Sequence, residues 1–311
     1  MSLDFNNLLM LAPMAGFSDL PLRAVVKDFG ADVTVSEMIS SHALIYQNEK
    51  TLKMLSKSDN ETPYSVQISG SKDDVLIKAV ELINEMEGVD IIDFNCGCPA
   101  PKVTKNGNGS ALLSDLPRLV SILQLIRDKS TKKHVSVKVR LGFDKKIPED
   151  IAHALNDVPV SFVVVHARTK TDGYKKEKID YEAIAKMKVI SKHPIIANGE
   201  IDSFQKAHEI KQKTGANGLM IGRAAIGAPW IFWQIKNNKQ EVPNLIKREI
   251  ILRHFDLMSA HYGARGAIMF RKNLHSYAKG SSGASAYRQL VNETSDLAQM
   301  RDQIEEFFTN V

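Results

Sequence analysis

Short apolar stretches alternate with helical patterns along the first ~235 residues of this 311-residue chain. Eight runs of four to six mainly apolar residues are bounded by Gly, Pro or polar residues, which predicts eight strands. Between several of them, apolar residues recur every three or four positions, which predicts helices; the interval 36–57 gives a weaker helical signal. The predicted strands are 8–12, 32–36, 64–69, 89–94, 135–139, 162–166, 194–197 and 218–221, and the predicted helices are 73–87, 116–129, 149–157, 181–191 and 203–213.

Eight strand-then-helix units predict a (β/α)8 TIM barrel over residues 1–235. A doubly wound open sheet is the alternative, but it would have fewer strands and a Gly-x-Gly-x-x-Gly turn after the first one. No such turn follows a predicted strand. Residues 236–243 are polar and end in a proline, as in a linker, and residues 244–311 show helical periodicity without strands. The sequence therefore predicts a barrel, a linker and a small all-helical C-terminal domain.

Composition narrows the class of protein. The chain has two cysteines separated by one residue, a spacing that does not favour a disulfide between them, and no nearby His completes a zinc site. No apolar segment reaches membrane-spanning length, and residues 1–7 lack a basic region followed by an apolar run. We therefore expect a cytoplasmic protein without a structural metal or membrane contact. The net charge of +5 permits a polyanionic partner.

The stretch 91–113 holds both cysteines. An apolar strand is predicted to break at Asn95, where a turn rich in Gly and Pro begins. Two lysines, Lys102 and Lys105, follow in the same stretch. Most buried cysteines are small core residues, and we interpret Cys96 in this way. Cys98 lies between Gly97 and Pro99 on the turn itself, so we interpret it as a candidate acid or nucleophile.

Polar residues mark the carboxyl ends of the predicted strands, where TIM barrels place their catalytic groups. Lys138 lies inside an apolar strand, so its ammonium would enter the barrel mouth. There it would stabilise an electron-rich heterocycle or, when deprotonated, form a Schiff base. The last two strand ends carry Asn198-Gly199-Glu200 and Gly222-Arg223. This fold often builds a phosphate site at that position, which predicts a phosphorylated cofactor.

Six segments of the chain, including the turn of Cys98 and the strand end of Lys138, together resemble the bacterial tRNA-dihydrouridine synthases, nearest their B-type branch. The resemblance covers nearly the whole chain and is most specific in the block after Asn95. It implies an enzyme that uses FMN, with NADPH or NADH as reductant, to reduce the C5–C6 double bond of uridine in tRNA. In the implied reaction, reduced FMN gives a hydride to C6 and Cys98, as general acid, protonates C5. The matching segments are 12–16, 95–113, 137–142, 165–169, 198–199 and 222–225.

The resemblance also implies roles for individual residues. The flavin ring would be held by Pro13, Met14, Ala15 and Gln67, with Lys138 at its N1/O2 side and His166 beside both flavin and substrate. The phosphate side would contain Asn198, Gly199, Glu200, Gly222 and Arg223, and the substrate would meet Asn95, Arg140 and Arg168. The sequence departs from the family pattern at Cys96 (commonly Met), Ala167 (commonly Gly) and Glu200 (commonly Asp).

The C-terminal region separates its charges. Residues 244–288 contain 8 Lys and Arg against 2 Asp and Glu, whereas residues 289–311 contain 1 against 5. Such a run is often only a solvated helix face, but Arg271 and Lys272 next to Tyr277 and Lys279 favour contact with RNA phosphates. Two alternatives stay open at this point: a flavin barrel acting on a small pyrimidine or enone, and a Lys138 Schiff-base aldolase. A third, an RNA-binding barrel without catalysis, is least favoured because it leaves the polar strand ends unused.

Overall fold

The computed structural model describes residues 3–309, and for Lys50 its backbone only. Met1, Ser2, Asn310 and Val311, which the predicted domain ranges include, lie outside the described residues. The described chain forms one parallel sheet rolled into a barrel, surrounded by helices and followed by a helical region. This confirms the predicted fold class. The strands are β1 (Leu8–Leu11), β2 (Thr34–Val35), β3 (Ile39–Ser40), β4 (Tyr64–Ser69), β5 (Ile91–Cys96), β6 (His134–Arg140), β7 (Phe162–His166), β8 (Ile195–Asn198) and β9 (Gly218–Ile221).

Helices follow most of the strands, and several begin at the side-chain caps that helix N-termini require. Asp115, Asp180 and Ser203 each accept a hydrogen bond from a first-turn amide. Three short 3-10 helices cover Gly109–Ser114, Lys176–Lys178 and Gly263–Arg265. The α-helices are α1 (Leu20–Asp28), α2 (Ser41–Ile45), α3 (Glu49–Leu55), α4 (Asp73–Asn84), α5 (Pro101–Thr104), α6 (Leu116–Lys129), α7 (Pro148–Leu155), α8 (Tyr181–Ile190), α9 (Phe204–Thr214), α10 (Ala224–Gly227), α11 (Ile231–Asn237), α12 (Asn244–Tyr262), α13 (Gly266–Tyr277), α14 (Ala284–Glu293) and α15 (Leu297–Thr309).

The sheet runs in the order β1-β9-β8-β7-β6-β5-β4-β2, and β3 also pairs with β4. A parallel bridge between Met10 and Val33 joins β1 to the segment before β2 and closes the barrel. The second predicted strand, 32–36, is observed only as the two-residue β2, and the unpredicted β3 takes the next position along β4. Between them the hydroxyl of Ser36 accepts the amide of Gln67 at 3.0 Å and so replaces a ladder hydrogen bond.

The prediction that the fourth strand breaks at Asn95 was wrong. Strand β5 continues through Cys96, because Asn95 and Cys96 pair in register with Lys138 and Val139 of β6. Cys96 is fully buried in the layer between barrel and helices. The turn therefore begins at Gly97, and Asn95 is held on a strand rather than on a loop.

The barrel interior has a polar half and an apolar half. Alternate strand residues face inward, and their neighbours Val66, Phe94 and Val137 pack outward against the helices. Met10, Val164 and Met220 belong to the apolar cluster that fills the other half. The polar half is lined by buried residues of β4, β5 and β6: Ser65, Gln67, Asp93, Asn95, Ser136 and Lys138.

The helical region has its own hydrophobic cluster, which includes Phe255, Phe270 and Ile304. It contacts the barrel chiefly through α12, which packs on α1. The hydroxyl of Tyr262 donates to Asp19 Oδ2 at 2.9 Å. Residues 238–243 connect α11 to α12, so the first two residues of the predicted linker 236–243 belong to α11 instead. No helix in the described part of the chain is both long and apolar enough to cross a membrane.

Candidate active site

The carboxyl ends of β5 to β8 bring five predicted site residues side by side. Asn95 pairs in register with Lys138, Arg140 pairs with His166, and His166 pairs with Asn198. All five are at most 9 % exposed. These residues lie far apart in sequence, and the barrel register alone gathers them at the mouth.

Lys138 is held at the barrel mouth by an amide relay. Its Nζ donates to Asn198 Oδ1 at 3.0 Å, and Asn198 Nδ2 donates to the carbonyl of Met220 at 2.7 Å. Burial and the charge of Arg140 lower the pKa of Lys138 to about 8, against the opposing effect of Asp93. The site therefore holds an ammonium that is charged at neutral pH and loses its proton at mildly alkaline pH.

The turn that carries Cys98 is fixed from three directions. Asn95 Oδ1 accepts the amides of Gly97 (3.3 Å) and Cys98 (3.0 Å). Arg140 Nε donates to the carbonyl of Gly97 at 2.8 Å, and Ser110 Oγ donates to that of Cys98 at 2.9 Å. Cys98 is half-buried, whereas Cys96 is fully buried and burial raises the pKa of its thiol well above the usual value.

His166 is neutral at physiological pH. Burial and the nearby cations, Lys138 first among them, hold the pKa of its imidazole well below 6.5. Its Nδ1 is buried and has no hydrogen-bond partner among the described residues. A ligand with a polar edge would satisfy that nitrogen.

Tyr174 is a site residue that the sequence did not single out. Its ring lies 5.4 Å from the guanidinium carbon of Arg140 and 5.2 Å from that of Arg223, and it meets His166 edge-on at 6.5 Å. Arg140 also donates to the carbonyl of Gly173 at 3.0 Å. The available signal was an aromatic residue in the lysine-rich loop after β7.

The residues after β7, β8 and β9 form a charged group. Glu200 Oε1 accepts a hydrogen bond from Arg168 Nη2 at 2.8 Å and forms an ion pair with Arg223. Arg168 is completely buried, and its Nη1 has no hydrogen-bond partner in residues 3–309. The Arg223 side chain is 56 % exposed and available to an anion. Arg168 thus lies with the predicted phosphate residues, and its role toward the substrate stays a prediction.

Pro13, Met14 and Ala15 form the rim after β1. Met14 N donates to Ser18 Oγ at 2.7 Å, which fixes the backbone there. A Cβ on Gly222 would lie 3.7 Å from Met14 Sδ, so the residue after β9 lies beside the rim that follows its neighbouring strand β1. Gly199 has a φ of +127°, a backbone conformation that favours glycine.

These residues fit a flat, electron-rich ring that carries a phosphate. Such a ligand would give hydrogen-bond partners to two buried polar atoms that have none among the described residues, His166 Nδ1 and Arg168 Nη1. The exposed guanidinium of Arg223 would bind its phosphate. A metal does not fit equally well, since no group of three or more His, Cys, Asp or Glu residues able to hold one occurs in the described part of the chain.

Comparison with known proteins supports the family that the sequence predicted. The family profile described as dihydrouridine synthase (Dus) matches residues 10–311. This chain belongs to the dihydrouridine synthase family. A probable tRNA-dihydrouridine synthase of Helicobacter pylori (strain J99) is 61 % identical over 98 % of this chain and 94 % of its own length. The tRNA-dihydrouridine synthase B of Pseudomonas syringae pv. tomato is 37 % identical over 98 % and 92 %.

Solved structures resemble this family member in fold. The structure titled TcOYE with pHBA has a TM-score of 0.54 at 9 % identity, covering 74 % of this chain and 88 % of its own. Morphinone reductase in complex with tetrahydroNAD has a TM-score of 0.53 at 11 % identity, covering 75 % and 87 %. These likenesses show the shared barrel. The family match agrees with the predicted synthase and with none of the three alternatives.

Two predicted RNA-contact residues of this dihydrouridine synthase family member point in different directions. Lys272 Nζ donates to the carbonyl of Gly16 on the barrel rim and lies 4.7 Å from the ring of Phe17. Arg271 Nη2 donates to the carbonyl of Thr294 at 2.8 Å, between α14 and α15. Lys272 therefore lies at the barrel rim, whereas Arg271 ties two elements of the helical region together.

Proposed function

We propose that this chain is a tRNA-dihydrouridine synthase that uses FMN, with NADPH or NADH as reductant, to reduce the C5–C6 double bond of uridine in tRNA. Its family and its named relatives support this reaction. The observation that carries the proposal is the half-buried Cys98 thiol on a rigid turn at the same barrel mouth as the Lys138 ammonium.

Each side chain at the mouth has a distinct task in this proposal. A bound flavin would supply the hydride that adds to C6 of the uracil. Cys98 donates the proton to C5, which requires the thiol form, and its turn holds that proton in a fixed place. Lys138 would stabilise negative charge on a bound flavin ring, and Gln67 would bind its edge. Asn95 and Arg140 orient the uracil.

The phosphate of FMN is proposed to bind at the other side of the mouth. Arg223 is the accessible cation there, and Gly199 and Gly222 let the ligand approach the backbone. Glu200 holds both Arg168 and Arg223, so it positions the cations for the phosphate. Pro13, Met14 and Ala15 bind the ring through their backbone.

The helical region is proposed to bind the RNA. A uridine in folded tRNA must leave its stack to reach a barrel interior, which requires a surface that holds the rest of the molecule. Residues 244–311 would supply it, joined to the barrel by the connection 238–243. Lys272 lies beside the mouth, and Arg271 supports the helices. A tRNA substrate would place the enzyme in the cytoplasm.

The proposal is tested by two cysteine variants. In Cys98→Ala the flavin still binds and is reduced by NADPH, but dihydrouridine formation on unmodified tRNA, measured by mass spectrometry of nucleosides, falls by at least ~100-fold, as for loss of general acid catalysis. Cys96→Ala is the matched control and keeps its activity. Wild-type rates in Cys98→Ala would refute the role of the thiol, and a wild-type protein that forms no dihydrouridine would refute the function.

A further inference from the structure

A carboxylate lies in the barrel interior below the proposed catalytic residues. Asp93 is 2 % exposed and occupies the middle of β5, and its Cα partners are Gln67 on β4 and Ser136 on β6. A buried carboxylate is costly unless it is paired or hydrogen-bonded. Nothing in the proposed function uses Asp93, and the sequence signal was a charge inside an apolar strand.

Asp93 determines the direction of two amide side chains. Its Oδ1 accepts the hydroxyl of Ser136 at 2.6 Å, and its Oδ2 accepts Gln67 Nε2 at 2.7 Å. An ionised carboxylate only accepts, so Gln67 must turn its NH2 toward Asp93 and its carbonyl oxygen away. That oxygen accepts Asn95 Nδ2 at 2.9 Å.

The orientation of Asn95 in turn fixes the backbone of the turn that carries Cys98. Because Asn95 donates with Nδ2, its Oδ1 faces the amides of Gly97 and Cys98. Reversing either amide would set two oxygens or two donors against each other in a buried site. A chain of hydrogen bonds therefore leads from Asp93 to the backbone of Cys98.

Asp93 also acts on the charge of Lys138. Lys138 pairs in register with Asn95, and Asp93 lies two residues before Asn95 on the same inner face, so the two charged residues are diagonal neighbours across the ladder. The other groups that act on the ammonium are Arg140 of its own strand, Cys98 after β5, His166 of β7 and Asn198 of β8. Asp93 and Cys98 favour the charged lysine. Burial raises the pKa of Asp93, while Ser136, Gln67 and Lys138 favour its ionised form.

We propose that Asp93 is a positioning residue: its carboxylate orients Gln67 and Asn95, and through them the Cys98 turn, and its negative charge stabilises the neighbouring Lys138 ammonium. This role rests on the proposed function of Cys98 and Lys138. It separates into a geometric part and a charge part, which two substitutions distinguish.

Asp93→Asn is nearly isosteric and tests the charge. Its carbonyl oxygen still accepts from Gln67 and its NH2 donates to Ser136, so the hydrogen-bond chain survives. The alkaline limb of dihydrouridine formation, set by Lys138, moves to lower pH by about 1 unit. The rate at which iodoacetamide alkylates Cys98, followed by mass spectrometry of the full chain, stays within about twofold of wild type.

Asp93→Leu tests the geometry. It removes the acceptor, so Gln67 and Asn95 are free to turn, and alkylation of Cys98 accelerates about fivefold. Ser65→Ala is the matched control, because Ser65 also lies in the polar half of the interior and its hydroxyl has no hydrogen-bond partner in the described chain. Its pH profile and alkylation rate match the wild type.

An unshifted alkaline limb in Asp93→Asn would overturn the charge part. An unchanged alkylation rate in a folded Asp93→Leu protein would overturn the geometric part, and if that variant does not fold, Asp93→Asn still decides the charge. Alkylation does not require dihydrouridine formation. A wild-type protein without synthase activity would therefore refute the proposed function, while the alkylation rates would still test Asp93.

Discussion

Adding one methyl group at Gly109 is expected to displace the Cys98 turn. Gly109 is buried and has a φ of +59°; a Cβ there would lie 2.9 Å from the carbonyl oxygen of Cys98 and 3.3 Å from its Cβ. Gly107, two residues away, has a similar φ of +70°, but its nearest neighbour would be Ser71 Oγ at 3.9 Å. Gly109→Ala and Gly107→Ala thus share the backbone strain, and only the first pushes on Cys98.

The magnitudes follow from these contacts. A left-handed backbone costs an alanine about 1 kcal/mol, which both variants lose. Relieving the contact in Gly109→Ala from 2.9 Å to an ordinary 3.4 Å requires a movement of about 0.5 Å. Overpacking of this kind adds about 1–3 kcal/mol. Because a 1 Å misplacement of a catalytic group costs about 100-fold in rate, we expect about a tenfold loss of dihydrouridine formation.

The two variants are compared by denaturant unfolding, by titration with FMN and by dihydrouridine formation at saturating tRNA. Gly107→Ala should keep its activity and lose about 1 kcal/mol of unfolding free energy, and Gly109→Ala should lose about 2–4 kcal/mol together with activity. FMN affinity should be similar in both. Equal activities of the two folded variants would refute the inference that the position of the Cys98 turn limits the reaction.

Three further variants test other parts of the account. Lys138→Arg carries a charge at every accessible pH, so the alkaline loss of activity near pH 8 expected for the wild type should disappear; a limb that persists would assign it to another group. Lys272→Met should weaken tRNA binding and lower the slope of log affinity against log salt by about 1, and an unchanged slope would contradict phosphate contact. His254 is buried, and burial lowers the pKa of its imidazole to about 3. Below pH 6.5 this imidazole therefore binds a proton in the unfolded chain but not in the folded protein. The unfolding free energy should fall with decreasing pH, and in His254→Phe this slope should be shallower by up to about 1.4 kcal/mol per unit, a difference whose absence would argue against a neutral buried imidazole.

The barrel was predictable because strands buried on both faces leave short apolar runs between amphipathic helices, and polar residues at the strand ends marked the mouth. The separation of β2 from β3 could not be predicted from the sequence, because it depends on the side chain of Ser36, which interrupts the ladder. The path of β5 through Cys96 depends on pairing with β6, which local sequence does not reveal.

Side-chain partners at the site were less predictable than its location. Arg271 and Lys272 are neighbours in sequence, yet they lie on different sides of α13 and contact Thr294 and Gly16. Tyr174 lies in a loop without periodicity. The proposed role of Asp93 follows only from its hydrogen bond with Gln67 on the neighbouring strand. Such roles arise from tertiary register, not from local spacing.

Anaerobic reoxidation of the reduced flavoprotein by unmodified tRNA is the first measurement to make, because it shows whether the reduced flavin passes its electrons to tRNA. The protein is loaded with FMN, reduced with NADPH and mixed with tRNA at low and high salt, and flavin absorbance is followed. For a tRNA-dihydrouridine synthase the oxidised absorbance returns with tRNA, and more slowly at high salt because phosphate contacts weaken. A reduced flavin that tRNA leaves unchanged at both salt concentrations would contradict the proposed function.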